Sequence, residues 1–127
     1  MNGTDFQNWL KQLAQSWEDK DTERFSGLFT EDARYFRTPF EDPKSGRKEI
    51  GTAINKVFSA CENIKFGYEI ISFSQDTGVC RWWCKFVRGV SQELIKLDGV
   101  FICEFNNNKS CKIFRKWWLT DGEFSDE

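Results

Sequence analysis

Apolar residues along the first twenty positions recur at the spacing of a helix. Phe6, Trp9, Leu10, Leu13, Ala14 and Trp17 fall on one stripe and predict a first helix ending near Asp19. Thr4-Asp5-Phe6-Gln7 has the form of a capping box, a hydroxyl residue followed three positions later by Gln. Asp21 or Thr22 can cap a second, short helix that turns Phe25, Leu28 and Phe29 inward, and Thr30-Glu31-Asp32 marks the turn out of it. Arg34 to Thr38 alternates and precedes Pro39, whose ring pushes Thr38 toward an extended conformation, so a short strand is expected there. Phe40 to Gly46, with Pro43 and Gly46, reads as a loop. A third helix follows, with Ile50, Ala53, Ile54, Val57, Phe58 and Cys61 on one face.

Beyond Cys61 the period changes to two. Lys65 to Phe73, Val79 to Arg88, Leu94 to Phe105 and Lys112 to Thr120 are rich in aromatic and β-branched residues and read as strands. Asp76-Thr77-Gly78 and Asn106-Asn107-Asn108 supply turns between them. Helices first and a meander afterwards predict an α+β fold, with the helices on one face of a curved sheet. Parity then sorts the side chains. Cys80, Trp82, Cys84 and Phe86 form an inner row, as do Phe101, Cys103 and Phe105; Arg81, Trp83 and Lys85 face outward with Asp98, Val100, Ile102 and Glu104. On the last strand, Ile113, Arg115, Trp117 and Leu119 are taken as the inner row because it carries one charge at most and ends in Leu119. Phe114, Lys116 and Trp118 then face outward.

The chain has 127 residues, the length of one domain. Its 13 Phe and 6 Trp are more rings than so small a core easily buries, so some should line a cavity or an interface. A net charge of −2 with both signs dispersed gives no nucleic-acid footprint. The acidic group Glu18, Asp19, Asp21 and Glu23 and the acidic tail from Asp121 to Glu127 read as a solvated turn and a frayed end. Five cysteines, no His and no Cys-x-x-Cys pair argue against a zinc site, and no metal or cofactor motif is found. Cys80 and Cys84 share a strand face but stand roughly 13 Å apart by strand rise, so buried free thiols are expected. The N-terminus lacks the pattern of a signal peptide, and no apolar run approaches the ~18 residues of a membrane span. These features predict a reduced, cytoplasmic setting without membrane contact.

The order helix, helix, short strand, loop, helix, four strands resembles the nuclear transport factor 2-like superfamily over essentially the whole chain. Local features support it: Trp17 and Asp21 at the first helix turn, Leu28-Phe29-Thr30-Glu31-Asp32-Ala33, Pro39, Ser45-Gly46, and Asp98-Gly99-Val100-Phe101. They are similar to the SnoaL-like branch. The resemblance implies a cone-shaped, curved antiparallel or mixed sheet wrapped around three N-terminal helices. It also implies which catalytic groups are absent. The general base of ketosteroid isomerases falls at Thr38, their oxyanion-hole tyrosine near Leu13 and their second acid near Phe101. None of these can perform the original role. Scytalone dehydratase-type chemistry uses histidine, which this chain lacks. The carboxylate that SnoaL-like cyclases carry near the end of the last strand would correspond to Asp121, which also reads as a turn acid.

No catalytic residue can be assigned from the sequence. Tyr35, Asp98, Glu104 and Asp121 are the acid–base candidates by region, with Asp98 and Glu104 also suited to inter-strand pairing. The aromatic excess and the implied cone place a ligand pocket between Leu13, Trp17, Tyr35, Phe58, Trp82, Phe86, Phe101, Arg115 and Trp117, with Thr38 and Phe40 at its mouth. If Arg115 faces inward it needs a carboxylate, from the protein or from a ligand; if parity is reversed it pairs with Glu104 on the surface. Two functions stay open: a domain binding a small hydrophobic molecule, or a non-catalytic interaction module. Exposed rings among charges on the outer face suggest a homodimer.

Overall fold

The computed structural model describes residues 1–121, and the rest of the acidic tail lies outside the described residues. Helix α1 spans Gly3–Asp19. Its cap is Asn2 rather than Thr4: Asp5 N donates to Asn2 Oδ1 at 2.9 Å, and Asn2 N donates to Asp5 Oδ2 at 3.0 Å. Thr4 lies inside the helix, because an amide oxygen two residues earlier reaches the same orphan donors. Lys20, at φ 55°, ends the helix in a left-handed residue. Helix α2, Thr22–Ser26, is capped by Asp21.

Strand β1 runs from Phe29 to Phe36, so Thr30-Glu31-Asp32 is extended backbone and no turn. Thr38 falls outside the strand expected to contain it. The expected loop contains a two-residue strand, β2 (Lys44–Ser45), paired antiparallel with β1. Gly46, at φ 84°, then opens α3, Gly46–Ala60; an added Cβ there would meet Glu31 O at 2.9 Å. Four strands follow: β3 (Cys61–Ser74), β4 (Thr77–Arg88), β5 (Leu94–Phe105) and β6 (Cys111–Thr120). The β3–β4 turn is Gln75-Asp76, both at positive φ, one position earlier than expected; Thr77 and Gly78 already belong to β4.

The six strands form one mixed, open sheet in the order β2-β1-β6-β5-β4-β3. Only β1 and β6 run parallel, which joins the first long strand to the last. Helix α1 packs against β3, α3 against β1, and α2 against α3, so all three helices lie on the inner face. Cys80, Trp82, Cys84, Phe101, Cys103 and Phe105 are buried on that face, as parity predicted. The exception is β6. Phe114 and Lys116 are buried and Trp118 half-buried, while Trp117 and Leu119 are exposed, so the inner and outer rows of β6 are reversed from expectation.

Most of the aromatic excess fills the interior. Trp82 stacks on Phe101 at 5.0 Å and on Phe66 at 5.7 Å, a three-strand ring stack across β3, β4 and β5. Trp9, Phe29, Phe105 and Phe114 meet edge-on or tilted beneath α1. These geometries suit the ring quadrupole. Gly99 marks the sharpest approach in the sheet: a Cβ there would lie 1.9 Å from Trp117 O, and that same carbonyl accepts Trp82 Nε1 at 3.3 Å.

Candidate functional site

The interior leaves a space between α3 and the ends of β4, β5 and β6. This cavity, of about 180 Å³, is walled by Trp17 from α1, by Ala53, Ile54 and Val57 from α3, and by Phe86, Ile95, Leu97 and Trp118 from the sheet. Tyr35, Arg37, Arg88, Lys116 and Thr120 are its polar members. Strand alternation brings Phe86, Lys116 and Trp118 to one face, and helical spacing brings Ala53, Ile54 and Val57 over them.

Lys116 is 7% exposed, and among the described residues it makes no hydrogen bond or ion pair within bonding distance. Its Nζ lies 5.0 Å from the Trp17 ring centroid and 4.8 Å from that of Trp82. Burial above all pushes its ammonium down to about 8, and the charge of Arg37 acts in the same direction. Tyr35 stacks flat on Phe114 at 4.9 Å, and burial drives its phenol well above the usual tyrosine range. It can donate a hydrogen bond near neutrality but cannot act as a base. Arg37 is held from outside the cavity by Glu41, at 2.6 and 3.2 Å. No Asp or Glu lies on the cavity wall among the described residues.

The residues expected to form a pocket therefore divide into three groups. Trp17, Tyr35 and Phe86 line the cavity. Leu13, Phe58, Trp82 and Phe101 are packed solidly into the core, each at most 2% exposed. Thr38, Phe40, Arg115 and Trp117 stand away from it. Thr38 Oγ1 accepts Phe40 N, and Phe40 is 95% exposed. Arg115 donates to Glu104 at 2.8 Å and lies 5.6 Å from the Phe36 ring, on the outer face; it does not enter the interior. Lys116, Trp118 and Arg37 were missed. The available signal was the alternation of β6, which puts Phe114 and Trp118 on the same side as Lys116.

Asp98 and Glu104, considered as acids, are pairing groups on the outer face. Asp98 accepts hydrogen bonds from Arg81 Nε and Nη2, which holds its carboxyl below the usual range, and Arg81 also lies 4.8 Å from the Trp83 ring. Trp83 in turn covers Gly67, where an added Cβ would meet its ring at 2.3 Å. Thr38, Pro39, Phe40, Ile71, Val100, Trp117 and Leu119 border a broad depression on this face. Asp121 is exposed at the end of β6, outside the inner cavity. No helix is long and apolar enough to cross a membrane, and no group of three metal-ligating side chains occurs among the described residues.

Comparison with solved structures finds the same fold in proteins of very different sequence. An epoxide hydrolase/cyclase-like enzyme, SalBIII, with a role in pyran ring formation in the polyether salinomycin, matches with a TM-score of 0.78 at 12% identity, covering 89% of each chain. A hypothetical protein with a ketosteroid isomerase-like fold from Catenulispora acidiphila DSM 44928, solved with trimethylamine, matches with a TM-score of 0.76 at 11% identity, covering 86% of this chain and 83% of that one. A nuclear transport factor 2-like protein of unknown function from Exiguobacterium sp. 255-15 matches with a TM-score of 0.71 at 17% identity, covering 90% and 98%. No curated protein matches. A SnoaL-like domain family model matches residues 10–113. With most of its length inside that match, the chain belongs to the SnoaL-like domain family.

Proposed function

We propose that this SnoaL-like domain binds a small, single-ring hydrophobic molecule in the inner cavity. The observation that carries the reading is the cavity itself, apolar and aromatic on most sides with a few polar groups converging on it, the usual make-up of a ligand site. Its 180 Å³ is close to a space of ~150 Å³ that admits a benzene-sized ring. It falls below the ~300–1,000 Å³ of drug-sized ligand pockets, which limits the ligand to about one ring. Binding is the proposed activity. Turnover would need a general base, and among the described residues the cavity wall offers only Lys116 and a phenol that stays protonated. Native mass spectrometry of freshly purified protein tests this directly. A co-purified small molecule in the wild type that is lost from Ala53→Phe, which fills the space under α3, supports the reading. A ligand retained by a folded Ala53→Phe variant places binding elsewhere and sinks it.

A second reading concerns the outer face. Trp83, Trp117, Leu119 and Ile71 are exposed there beside two internally satisfied pairs, Arg81–Asp98 and Arg115–Glu104. Around these side chains the charges of Arg81, Asp98, Arg115 and Glu104 are already neutralised in pairs and do not repel a second copy, which favours a homodimer related by a twofold axis.

A further inference from the structure

We infer that the inner cavity is selective for carboxylates: Lys116, between Trp17 and Trp82, receives the acid group of a small aromatic organic acid. This rests on the cavity being a ligand site. A lysine kept for structure would be expected to meet a carboxylate or a carbonyl. Lys116 instead meets two ring faces, at 5.0 and 4.8 Å, and is 7% exposed. Ring faces attract the ammonium but accept none of its three N–H donors in a directed bond. Among the described residues no fully occluded side-chain nitrogen or oxygen lacks a partner, so an Nζ without a partner must open onto free space, and the space beside it is the cavity.

The charge of the wall points the same way. Lys116, Arg37 and Arg88 line it, and no described acid does. Glu41 engages Arg37 from outside the wall, which leaves Lys116 as the cation wholly inside. A ligand anion supplies the missing acceptor, and its ring occupies the apolar remainder beneath Ala53, Ile54 and Val57. Imine formation with a carbonyl ligand is the competing use of a buried amine, but it requires a group to dehydrate the carbinolamine. The described wall offers only the high-pKa phenol of Tyr35 for that step.

The titration supports the assignment. Groups facing Lys116 or sharing the wall with it are Cys61 at the start of β3, Cys84 and Arg88 on β4, Tyr35 on β1 and Arg37 beyond it; α1 presents Trp17, and α3 presents only apolar residues to the cavity. Burial pushes Cys84 up to about 12 and raises Cys61, so both thiols stay neutral while Lys116 titrates. A bound carboxylate favours the ammonium, so binding above pH 8 must take up a proton.

Phenylacetate and its neutral isostere phenylacetamide separate the possibilities by calorimetry. Wild type should bind the acid about tenfold more tightly than the amide at pH 7, the worth of one charge-assisted hydrogen bond. At pH 8.5, titrations in buffers of different ionisation enthalpy should show proton uptake with the acid and none with the amide. Lys116→Met should keep the amide and lose the preference. Equal binding of acid and amide by wild type overturns the carboxylate assignment and leaves the cavity reading standing, as does an acid preference that survives in Lys116→Met. Failure of both probes to bind overturns the two together. The proton-uptake measurement needs no variant, so it decides the matter even if Lys116→Met does not fold; acid binding without uptake counts against the assignment.

Discussion

An ammonium taken out of water is costly when no carboxylate meets it, and Lys116 shows that cost in its titration. Its folded pKa is near 8, below the ~10.4 of an unfolded lysine. Between those values the unfolded chain holds a proton that the folded one has lost, so stability rises with pH across that window. Below pH 8 the penalty is fully present, on the order of 3 kcal/mol. Lys116→Met, close in length and apolar, should therefore stabilise the unliganded protein at pH 7 by about 1–3 kcal/mol, with the gain fading toward pH 10.5. Urea denaturation at pH 7 and pH 10 measures both, and a destabilised variant at pH 7 would remove the desolvation account. A residue that lowers stability and faces a cavity is one that function would retain. The residues matched to ketosteroid isomerase carry the opposite message. Leu13 and Phe101 are core, and Thr38 borders the outer depression. Neither wild type nor Thr38→Asp should isomerise a ketosteroid above the buffer rate, since each missing oxyanion donor is worth about 2.7–4 kcal/mol.

At the scale of elements, the end of β6 and its neighbour β5 determine the cavity. Gly99 lets the two backbones close to a distance that no Cβ allows, and the atom in the way is a main-chain carbonyl that cannot swing aside. Gly99→Ala should cost at least the ~1–3 kcal/mol of an overpacked site and should loosen the Trp82–Trp117 hydrogen bond. Gly67→Ala, where the obstacle is the movable ring of Trp83, should cost less; thermal melts of the pair check the ranking, and equal losses would show that Gly99 holds no special geometry. The four long strands, the two longer helices and the inner rows of β4 and β5 were legible because period and burial coincide there. β6 was not, because its inner row holds a lysine. One charge at most and a terminal Leu119 favour Ile113, Arg115, Trp117 and Leu119, yet the stem of Lys116 packs like a hydrophobe and its head is tolerated by two indoles. That one side chain hid both the parity of the strand and the polar centre of the candidate site. β2 and the early start of β1 were illegible for a different reason: they are defined by pairing with each other and with β6, contacts between distant segments that no local pattern encodes.

For the molecule as a whole, the outer face carries a prediction about assembly. The chain should sediment as a dimer at about tens of micromolar, the range that reports micromolar affinity, and Trp117→Asp should shift it to monomer. A wild type that stays monomeric there refutes the outer-face reading while leaving the inner cavity untouched. The five thiols, all at most 3% exposed, lie at the α3–β3 junction and along the inner rows of β4, β5 and β6. Burial also holds Cys80 and Cys84 near 12 and raises Cys103 well above the usual thiol range, so a thiol still enclosed is reluctant to ionise. The sheet thus carries its own built-in clock of opening. A disulfide reagent should leave the native protein nearly unmodified, and each cysteine should label only as fast as the segment over it lifts away. Cys61, at the hinge between α3 and β3, should be first, and mass-resolved labelling would show whether it precedes Cys103 and Cys111. Because α3 is also the roof of the cavity, an occupant that pins the helix should slow that first event and leave the others unchanged. The tempo of one thiol would then reveal, without any assay of chemistry, when the space beneath the helix is filled.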